Sequence, residues 1–129
     1  MAVLLDTTVL IDVLRHRPAA DRLLSLRITG EVPYICAINA QEVHRGLRAE
    51  EVSQAAAMLA AFRVAPLGGM EGALAGVWQR EFRARGVTLG SGDCLIAAAA
   101  LGVGAAIATG NPKHFPMERV VVQHWPVGE

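Results

Sequence analysis

Short apolar runs alternate with longer segments of helical periodicity along this chain. The first run, residues 2–5, reads AVLL and stops at Asp6, after which apolar residues recur three and four positions apart. The same change of period recurs further along the sequence. Strands that alternate with helices favour βαβ crossovers, and therefore a parallel sheet covered on both faces. The pattern predicts an α/β fold with three layers, α/β/α, around a short central parallel sheet of four to five strands.

Breaks in the two periods locate the expected elements. Strands are expected at residues 2–5, 32–36, 63–67, 105–108 and 120–122. Helices are expected from about residue 9, from Pro18 to about residue 28, over residues 37–48, 50–62 and 70–85, and from Asp93 after a turn at residues 89–92. The chain is expected to form a single domain, residues 1–129.

Composition excludes several classes of protein. With 53% hydrophobic residues the chain is expected to build a real core, which excludes intrinsic disorder. Its formal net charge of zero means that any nucleic-acid binding must rest on a local patch. Cys36 and Cys94 form no CxxC pair, so we expect two buried thiols rather than a zinc site or a disulfide scaffold. Without an 18-residue apolar stretch, we expect no membrane anchor and a cytoplasmic protein.

Two of the four aspartates occupy unusual positions. Asp6 ends the first predicted strand, and Asp93 follows a Gly-Ser-Gly turn and precedes an almost wholly apolar helix. Ligands of parallel α/β sheets bind outside the carboxyl ends of the strands, and an ionised acid in an apolar setting needs a partner or a metal. An ordinary structural interpretation stays open for both residues, since Asp6 could cap the following helix and Asp93 could be a first-turn acid.

Glu42 is a third acid of interest because it lies one helical turn before Gly46. This spacing places a carboxylate beside a bare backbone and leaves room for another element or a substrate. The alternative is a solvated glutamate that pairs with Arg45 or Arg48. Asn111 lies just beyond the fourth predicted strand, so the polar ends of the first and fourth strands meet if these strands are neighbours.

Four segments together resemble the PIN-domain ribonucleases, and specifically the VapC toxins of toxin–antitoxin pairs. They are DTTVLIDVL from residue 6, QEVHRGL from residue 41, DCLIAAAAL from residue 93 and ATGNPKHFP from residue 108. The segments occur in the order and at the spacing of that family over nearly the whole chain. In that family, acidic residues bind Mg²⁺ or Mn²⁺ and hydrolyse RNA. The resemblance implies a metal-dependent endoribonuclease that leaves a 5′-phosphate and a 3′-hydroxyl.

Position within these motifs implies a catalytic role for Asp6, Glu42, Asp93 and Asn111. The last of these falls where the family often has aspartate, which leaves open whether one metal ion or two are bound. Asp6 and Asp93 are the expected ligands of Mg²⁺, or of Mn²⁺, because oxygen ligands suit hard cations. Glu42 is expected to orient or deprotonate the attacking water.

Further residues and partners complete these expectations. Thr8 and Thr109 are expected to be accessory polar residues of the site. Four basic residues are expected to contact RNA: Arg15, Arg17, Lys113 and His114. The resemblance also implies a VapB-type antitoxin as partner, and it favours a homodimer.

Two other functions stay open on the sequence. A phosphotransferase of the haloacid-dehalogenase type is one, since DTTV after a strand resembles its nucleophile loop and Lys113 lies downstream. The second aspartate of that loop would, however, fall on Thr8. A non-catalytic PIN-like module that binds RNA or an antitoxin is the other, and Asn111 at the fourth acidic position keeps it open.

Overall fold

A single parallel sheet of five strands forms the centre of the computed structural model, which describes residues 1–128. The strands are β1 (Ala2–Leu5), β2 (Val32–Ile35), β3 (Arg63–Val64), β4 (Ala105–Thr109) and β5 (Val122–His124). Their order across the sheet is β3-β2-β1-β4-β5. The predicted three-layer α/β/α fold is confirmed, with helices on both faces of this sheet.

Six α-helices connect the strands within the described residues. They are α1 (Thr7–Leu14), α2 (Pro18–Ile28), α3 (Ala37–Arg45), α4 (Val52–Ala60), α5 (Gly69–Ala84) and α6 (Ser91–Gly102). Short 3₁₀ helices occur at Ala49–Glu51 and Pro112–His114. No helix among residues 1–128 is long and apolar enough to span a membrane.

Alternate side chains of β1 enter two different cores, because successive residues of a strand point to opposite faces of the sheet. Leu4 packs with Ile96 of α6 in the core that also contains the apolar face of α5. Leu5 packs with Leu10 of α1 in the core that α2 and α4 also line. The burial of β1 on both faces explains why its sequence is apolar without a break.

The chain order around β1 determines where a site can form. From β1 the chain runs to β2 and β3 on one side, and it later returns to β4 on the other side of β1. The carboxyl ends of β1 and β4 therefore form the topological switch point of the sheet, where parallel α/β proteins bind ligands. Helix α3 reaches this end from the side, since it contacts α1 and α4 in one layer and α6 in the other.

Two predicted boundaries near the end of the chain are wrong. Helix α6 begins at Ser91 and not at Asp93, because Gly90 is its N-cap and the small residues after it are helical. Strand β5 lies at Val122–His124 rather than at residues 120–122, because Ile107 of β4 pairs with Val122. A run of three valines contains no register signal, and the partner strand decides which of them pairs.

Three other predicted elements differ from those observed. Helix α1 begins at Thr7, directly after its N-cap Asp6. Helix α3 ends at Arg45 instead of residue 48, and β3 covers only Arg63–Val64 instead of residues 63–67. The chain turns at Gly46, and β3 ends before Pro66, which has no backbone N–H to extend the sheet. Each break falls inside a segment whose apolar pattern continues beyond it.

The prediction of two buried thiols is confirmed, since Cys36 and Cys94 are both buried and neither is in a disulfide. Burial raises the pKa of the Cys94 thiol to about 11. Both cysteines therefore behave as small hydrophobic residues of the core.

Candidate active site

Asp6 lies at the carboxyl end of the central strand, where β1 is followed by α1. Only 4% of the residue is exposed. Its Oδ1 accepts a hydrogen bond from the backbone N–H of Thr7 at 2.8 Å. Its Oδ2 accepts one from the hydroxyl of Thr109 at 2.7 Å and a longer one from the hydroxyl of Thr8 at 3.3 Å. Asp6 is therefore a helix cap that also faces the end of the neighbouring strand.

Burial raises the pKa of Asp6, because desolvation disfavours the charged form. Hydrogen bonds from Thr109, Thr7 and Thr8 lower this pKa, whereas the nearby carboxylate of Glu42 raises it further. The net effect is that the site disfavours negative charge on Asp6. A cation bound close to Asp6 would reverse that effect.

The loop after β4 is hydrogen-bonded to the residues after β1. The hydroxyl of Thr109, which donates to Asp6, accepts a hydrogen bond from the backbone N–H of Asn111 at 2.9 Å. The hydroxyl of Thr8 accepts one from the backbone N–H of Gly110 at 3.1 Å. Because β1 and β4 are neighbours, their polar ends meet as the sequence predicted.

Glu42 reaches the same end of the sheet from α3. Its Oε1 accepts a hydrogen bond from the hydroxyl of Thr7 at 2.6 Å. Glu42 therefore bonds to the start of α1, and the alternative of a glutamate paired with Arg45 or Arg48 is not what the structure shows. A Cβ at Gly92 would lie only 3.1 Å from Glu42 Oε2, so the absence of a side chain there lets the start of α6 approach this carboxylate.

Asp93 lies in the first turn of α6 and is half-buried. Burial raises its pKa, the proximity of His114 lowers it, and the carboxylates of Asp6 and Glu42 raise it again. The effect of these carboxylates on Asp93 indicates that the three acids lie in one electrostatic site, although they come from three distant parts of the sequence. The first-turn interpretation of Asp93 also holds, since the helix dipole favours an acid there.

His114 connects Asp93 to Asn111. Its Nδ1 lies 3.4 Å from Asp93 Oδ2, and its Nε2 lies 2.9 Å from Asn111 Nδ2. The Asn111 side chain thus reaches the acids through the His114 ring. Lys113, on the 3₁₀ helix between them, is exposed.

The two arginines after α1 have different surroundings. Arg15 pairs with Glu51, whose carboxylate accepts hydrogen bonds from Arg15 Nε at 3.1 Å and from Arg15 Nη2 at 3.4 Å. Arg17 lines a pocket of about 330 Å³ next to Thr7 and Thr8. The guanidinium of Arg15 is therefore engaged within the chain, whereas no such ion pair is seen for Arg17 among the described residues.

Sequence reasoning missed two polar residues that hold the site together. Thr7 bonds to Glu42, and the fully buried Asn39 donates from Nδ2 to the hydroxyl of Thr7 at 3.3 Å. A buried asparagine three residues before Glu42 is a weak signal, since both lie on one face of a helix. The repeated threonine after Asp6 is another weak signal. Neither Asn39 nor Thr7 could be assigned a hydrogen-bond partner from the sequence.

Among residues 1–128, no three histidine, cysteine, aspartate or glutamate side chains come close enough to form a metal-ligand set on their own. The acids described here nevertheless offer carboxylate oxygens only, which is the donor chemistry that Mg²⁺ and Mn²⁺ prefer. Mg²⁺ usually takes one or two carboxylates and keeps several waters. The donor set therefore fits a partly hydrated divalent cation.

Comparison with known proteins gives one family. The family model described as PIN domain matches residues 3–120. Ribonuclease VapC10 of Mycobacterium tuberculosis is 38% identical over 116 residues, which cover 89% of this chain and 86% of the relative.

Solved structures share the fold. VapBC2 from Rickettsia felis, bound to a DNA fragment from their promoter, contains a chain that is 20% identical with a TM-score of 0.84, covering 97% of this chain and 99% of that one. DNA-bound VapBC from Salmonella typhimurium contains one that is 19% identical with a TM-score of 0.82, covering 97% and 98%. With the family match and the relative of 38% identity, these findings show that the chain belongs to the PIN domain family.

Proposed function

We propose that this chain is a divalent-metal-dependent endoribonuclease and the toxin of a VapBC-type toxin–antitoxin pair. The observation that carries the proposal is that Asp6, Glu42 and Asp93 lie within electrostatic reach of one another near the switch point of the sheet. Burial, and to a smaller extent the neighbouring carboxylates, raise the pKa of both aspartates there. RNA as the substrate is supported by the name of the relative that is 38% identical, Ribonuclease VapC10.

Asp6 and Asp93 are the residues that would hold Mg²⁺ or Mn²⁺. Burial disfavours negative charge on both carboxylates, so a bound cation would be stabilising. When bound, such a cation supplies Lewis-acid activation of water and stabilises charge on the phosphoryl oxygens.

The residues of the chain supply positioning and proton transfer. Glu42 orients the attacking water and accepts its proton, and the atom that does so is Oε2, since Oε1 accepts the hydrogen bond from Thr7. Thr8 and Thr109 both donate to Oδ2 of Asp6 and so orient its carboxylate. Asn111 takes part through His114, which it contacts together with Asp93.

RNA binding requires cations around these acids. Lys113 and His114 lie on the short 3₁₀ helix after Asn111, and Arg17 lines a pocket that Thr7 and Thr8 also line, so these three residues are candidates for contacts with RNA phosphates. Arg15 is a weaker candidate than the sequence indicated, because RNA would have to compete with Glu51 for its guanidinium.

The partner that fits this function is a small VapB-type antitoxin that covers the acidic site. A negatively charged site at the surface is suited to a basic segment, and an arginine could pair with the carboxylates in place of the cation. The homodimer expected from the resemblance stays a prediction, which size-exclusion chromatography with light scattering would test.

A nuclease assay on purified protein tests the function. We expect the wild type to cleave RNA with Mg²⁺ or Mn²⁺ and to lose activity in EDTA. Asp6→Asn, Glu42→Gln and Asp93→Asn should each lose activity, whereas Asp21→Asn, a matched change at an exposed aspartate of α2, should retain it. Equal activity in all five proteins would indicate a contaminant or a wrong site. An inactive wild type that still binds RNA or an antitoxin would support the non-catalytic alternative.

A further inference from the structure

A chain of three buried or half-buried polar side chains leads from the start of α3 to Glu42. The backbone N–H of Cys36 donates to Asn39 Oδ1 at 2.8 Å. This contact fixes the orientation of the Asn39 amide, because only the oxygen can accept from an N–H. Asn39 Nδ2 must then point the other way, and it lies 3.3 Å from the hydroxyl of Thr7.

The hydroxyl of Thr7 has one proton, and its partners determine where that proton points. Its oxygen accepts from Asn39 Nδ2, so its own proton is directed to Glu42 Oε1 at 2.6 Å. A distance of about 2.5–2.7 Å is typical of a hydroxyl that donates to an ionised carboxylate. Each bond in the series therefore has one possible direction, and the series ends on a carboxylate that accepts.

The two oxygens of Glu42 consequently have different surroundings. Oε1 is held by Thr7, while Oε2 lies on the side of Gly92, where a Cβ would approach it to 3.1 Å. Asn39 and Glu42 lie three residues apart on α3, so one helix carries both ends of the series. Rotation of the carboxylate away from Thr7 would break this bond and leave the half-buried hydroxyl of Thr7 without an acceptor, which is costly.

We propose that Asn39 and Thr7 are positioning residues for the nuclease reaction, forming a relay that locks the rotation of the Glu42 carboxylate and leaves Oε2 for the attacking water. The inference deepens the proposed function and rests on the role given there to Glu42. It assigns a task to two residues that the motifs alone do not single out. The relay acts on Glu42 and not on the residues expected to hold the cation.

Thr7→Val and Thr7→Ser are the variants that test the relay. Valine keeps the shape of threonine and the backbone N–H that donates to Asp6, but it lacks the hydroxyl, whereas serine retains the hydroxyl. Loss of a hydrogen bond to a charged group predicts a fall in kcat of about tenfold to about a hundredfold for Thr7→Val. KM for RNA should stay unchanged, and Thr7→Ser should restore most of the lost kcat.

Thr29→Val is the matched control, since it removes a hydroxyl that bonds to Leu26 O at 2.9 Å at the far end of α2. It should leave kcat unchanged. In single-turnover assays, Thr7→Val should add no further loss to a Glu42→Gln background, because the relay acts only through Glu42. Additive losses would overturn the inference.

Mn²⁺ affinity, measured by electron paramagnetic resonance of the free ion, is the readout that does not depend on activity. It should be the same in wild type and Thr7→Val. A parallel loss of Mn²⁺ affinity and kcat would mean that Thr7 acts through the cation site, which would overturn the inference.

The outcomes separate failure of the inference from failure of the proposed function. An inactive wild type would defeat the function itself, and a fully active Glu42→Gln would defeat the role of Glu42. An active wild type with a defective Glu42→Gln and a fully active Thr7→Val would overturn the relay alone. Asn39→Asp extends the test at a pH where its carboxylate is ionised, since it then keeps an acceptor for Cys36 N–H but cannot donate to Thr7, and it should resemble Thr7→Val. If Asn39→Asp does not fold, the Thr7 variants decide.

Discussion

The two ends of helix α1 each contain a buried aspartate, and the two have different roles. Asp6, before the helix, is 4% exposed and Asp12, in its last turns, is 2% exposed. The oxygens of Asp12 each accept one backbone N–H, from Ala19 at 2.9 Å and from Gly128 at 2.9 Å. Asp6 differs in that it accepts hydrogen bonds from two threonine hydroxyls and lies near another carboxylate.

Burial alone therefore does not identify a functional acid, since both aspartates are buried. Asp12 joins α2 and the end of the described chain to α1, and each of its two carboxyl oxygens accepts one backbone N–H. Asp6 and its acidic neighbours repel one another, and the fold tolerates a cluster of like charges that a cation would stabilise. The identity of the surrounding groups therefore distinguishes a structural clamp from a candidate catalytic site.

Asp6→Asn should produce the largest effect on activity. Loss of the charge that holds the cation and orients the site should lower kcat for RNA cleavage by at least about a hundredfold. The fold should survive, since asparagine also caps helices. The measurement is a nuclease assay with circular dichroism as the folding control, and retention of wild-type kcat would remove Asp6 from the site.

Asp12→Ala should show the opposite behaviour. Two backbone N–H groups lose their acceptor, which should lower the free energy of unfolding by about 2–4 kcal/mol. Activity of the folded protein should change little, because Asp12 bonds to α2 and Gly128 and not to the acids. Urea denaturation measures the stability, and a large loss of kcat without destabilisation would contradict the clamp role.

The dependence of stability on pH should differ between wild type and Asp93→Asn in EDTA. The pKa of Asp93 is raised in the fold by burial, so its contribution to stability is present below the ordinary aspartate value of 3.8 and is lost as pH rises through the raised pKa. Asparagine resembles the protonated form. The variant should therefore gain stability relative to wild type across this pH range, and Mg²⁺ should remove that gain by stabilising the wild type. A difference that does not vary with pH would contradict the raised pKa.

Gly92→Ala should have the smallest effect. Its methyl group would lie about 3.1 Å from Glu42 Oε2, so the carboxylate must shift by a few tenths of an ångström, and kcat should fall severalfold. Gly76→Ala in α5 is the matched control, because nothing lies within 4 Å of its added methyl group. The control should gain about 0.5–1 kcal/mol of stability without loss of activity. Equal kcat in both variants would show that Gly92 is not needed for close approach.

Much of the fold could be predicted because each element carries its own local signal. The start of α2 at Pro18 and the limits of β1 follow from residues within the elements themselves. The start of α6 at Ser91 could not be predicted in this way, since glycine and serine are typical of turns as well as of helix starts. The register of β5 depends on β4, which lies elsewhere in the sequence.

The candidate site divides in the same way. Asp6 and Asp93 stand out in the sequence because each interrupts an apolar setting. Thr7 bonds to Glu42 across 35 positions of the chain and to Asn39 across 32 positions. The roles of Thr7 and Asn39 therefore become visible only in the folded structure. The pairing of Arg15 with Glu51 could not be predicted from the sequence either, because it joins residues 36 positions apart.

Direct titration with Mn²⁺ tests most sharply whether the acids of this end of the sheet share one cation. Electron paramagnetic resonance of the free ion would compare the wild type with Asp6→Asn, Asp93→Asn and Asp12→Asn. We predict saturable binding by the wild type and by Asp12→Asn, and a loss of affinity of at least about tenfold in the other two variants. Equal affinity in all four proteins would contradict a shared cation site.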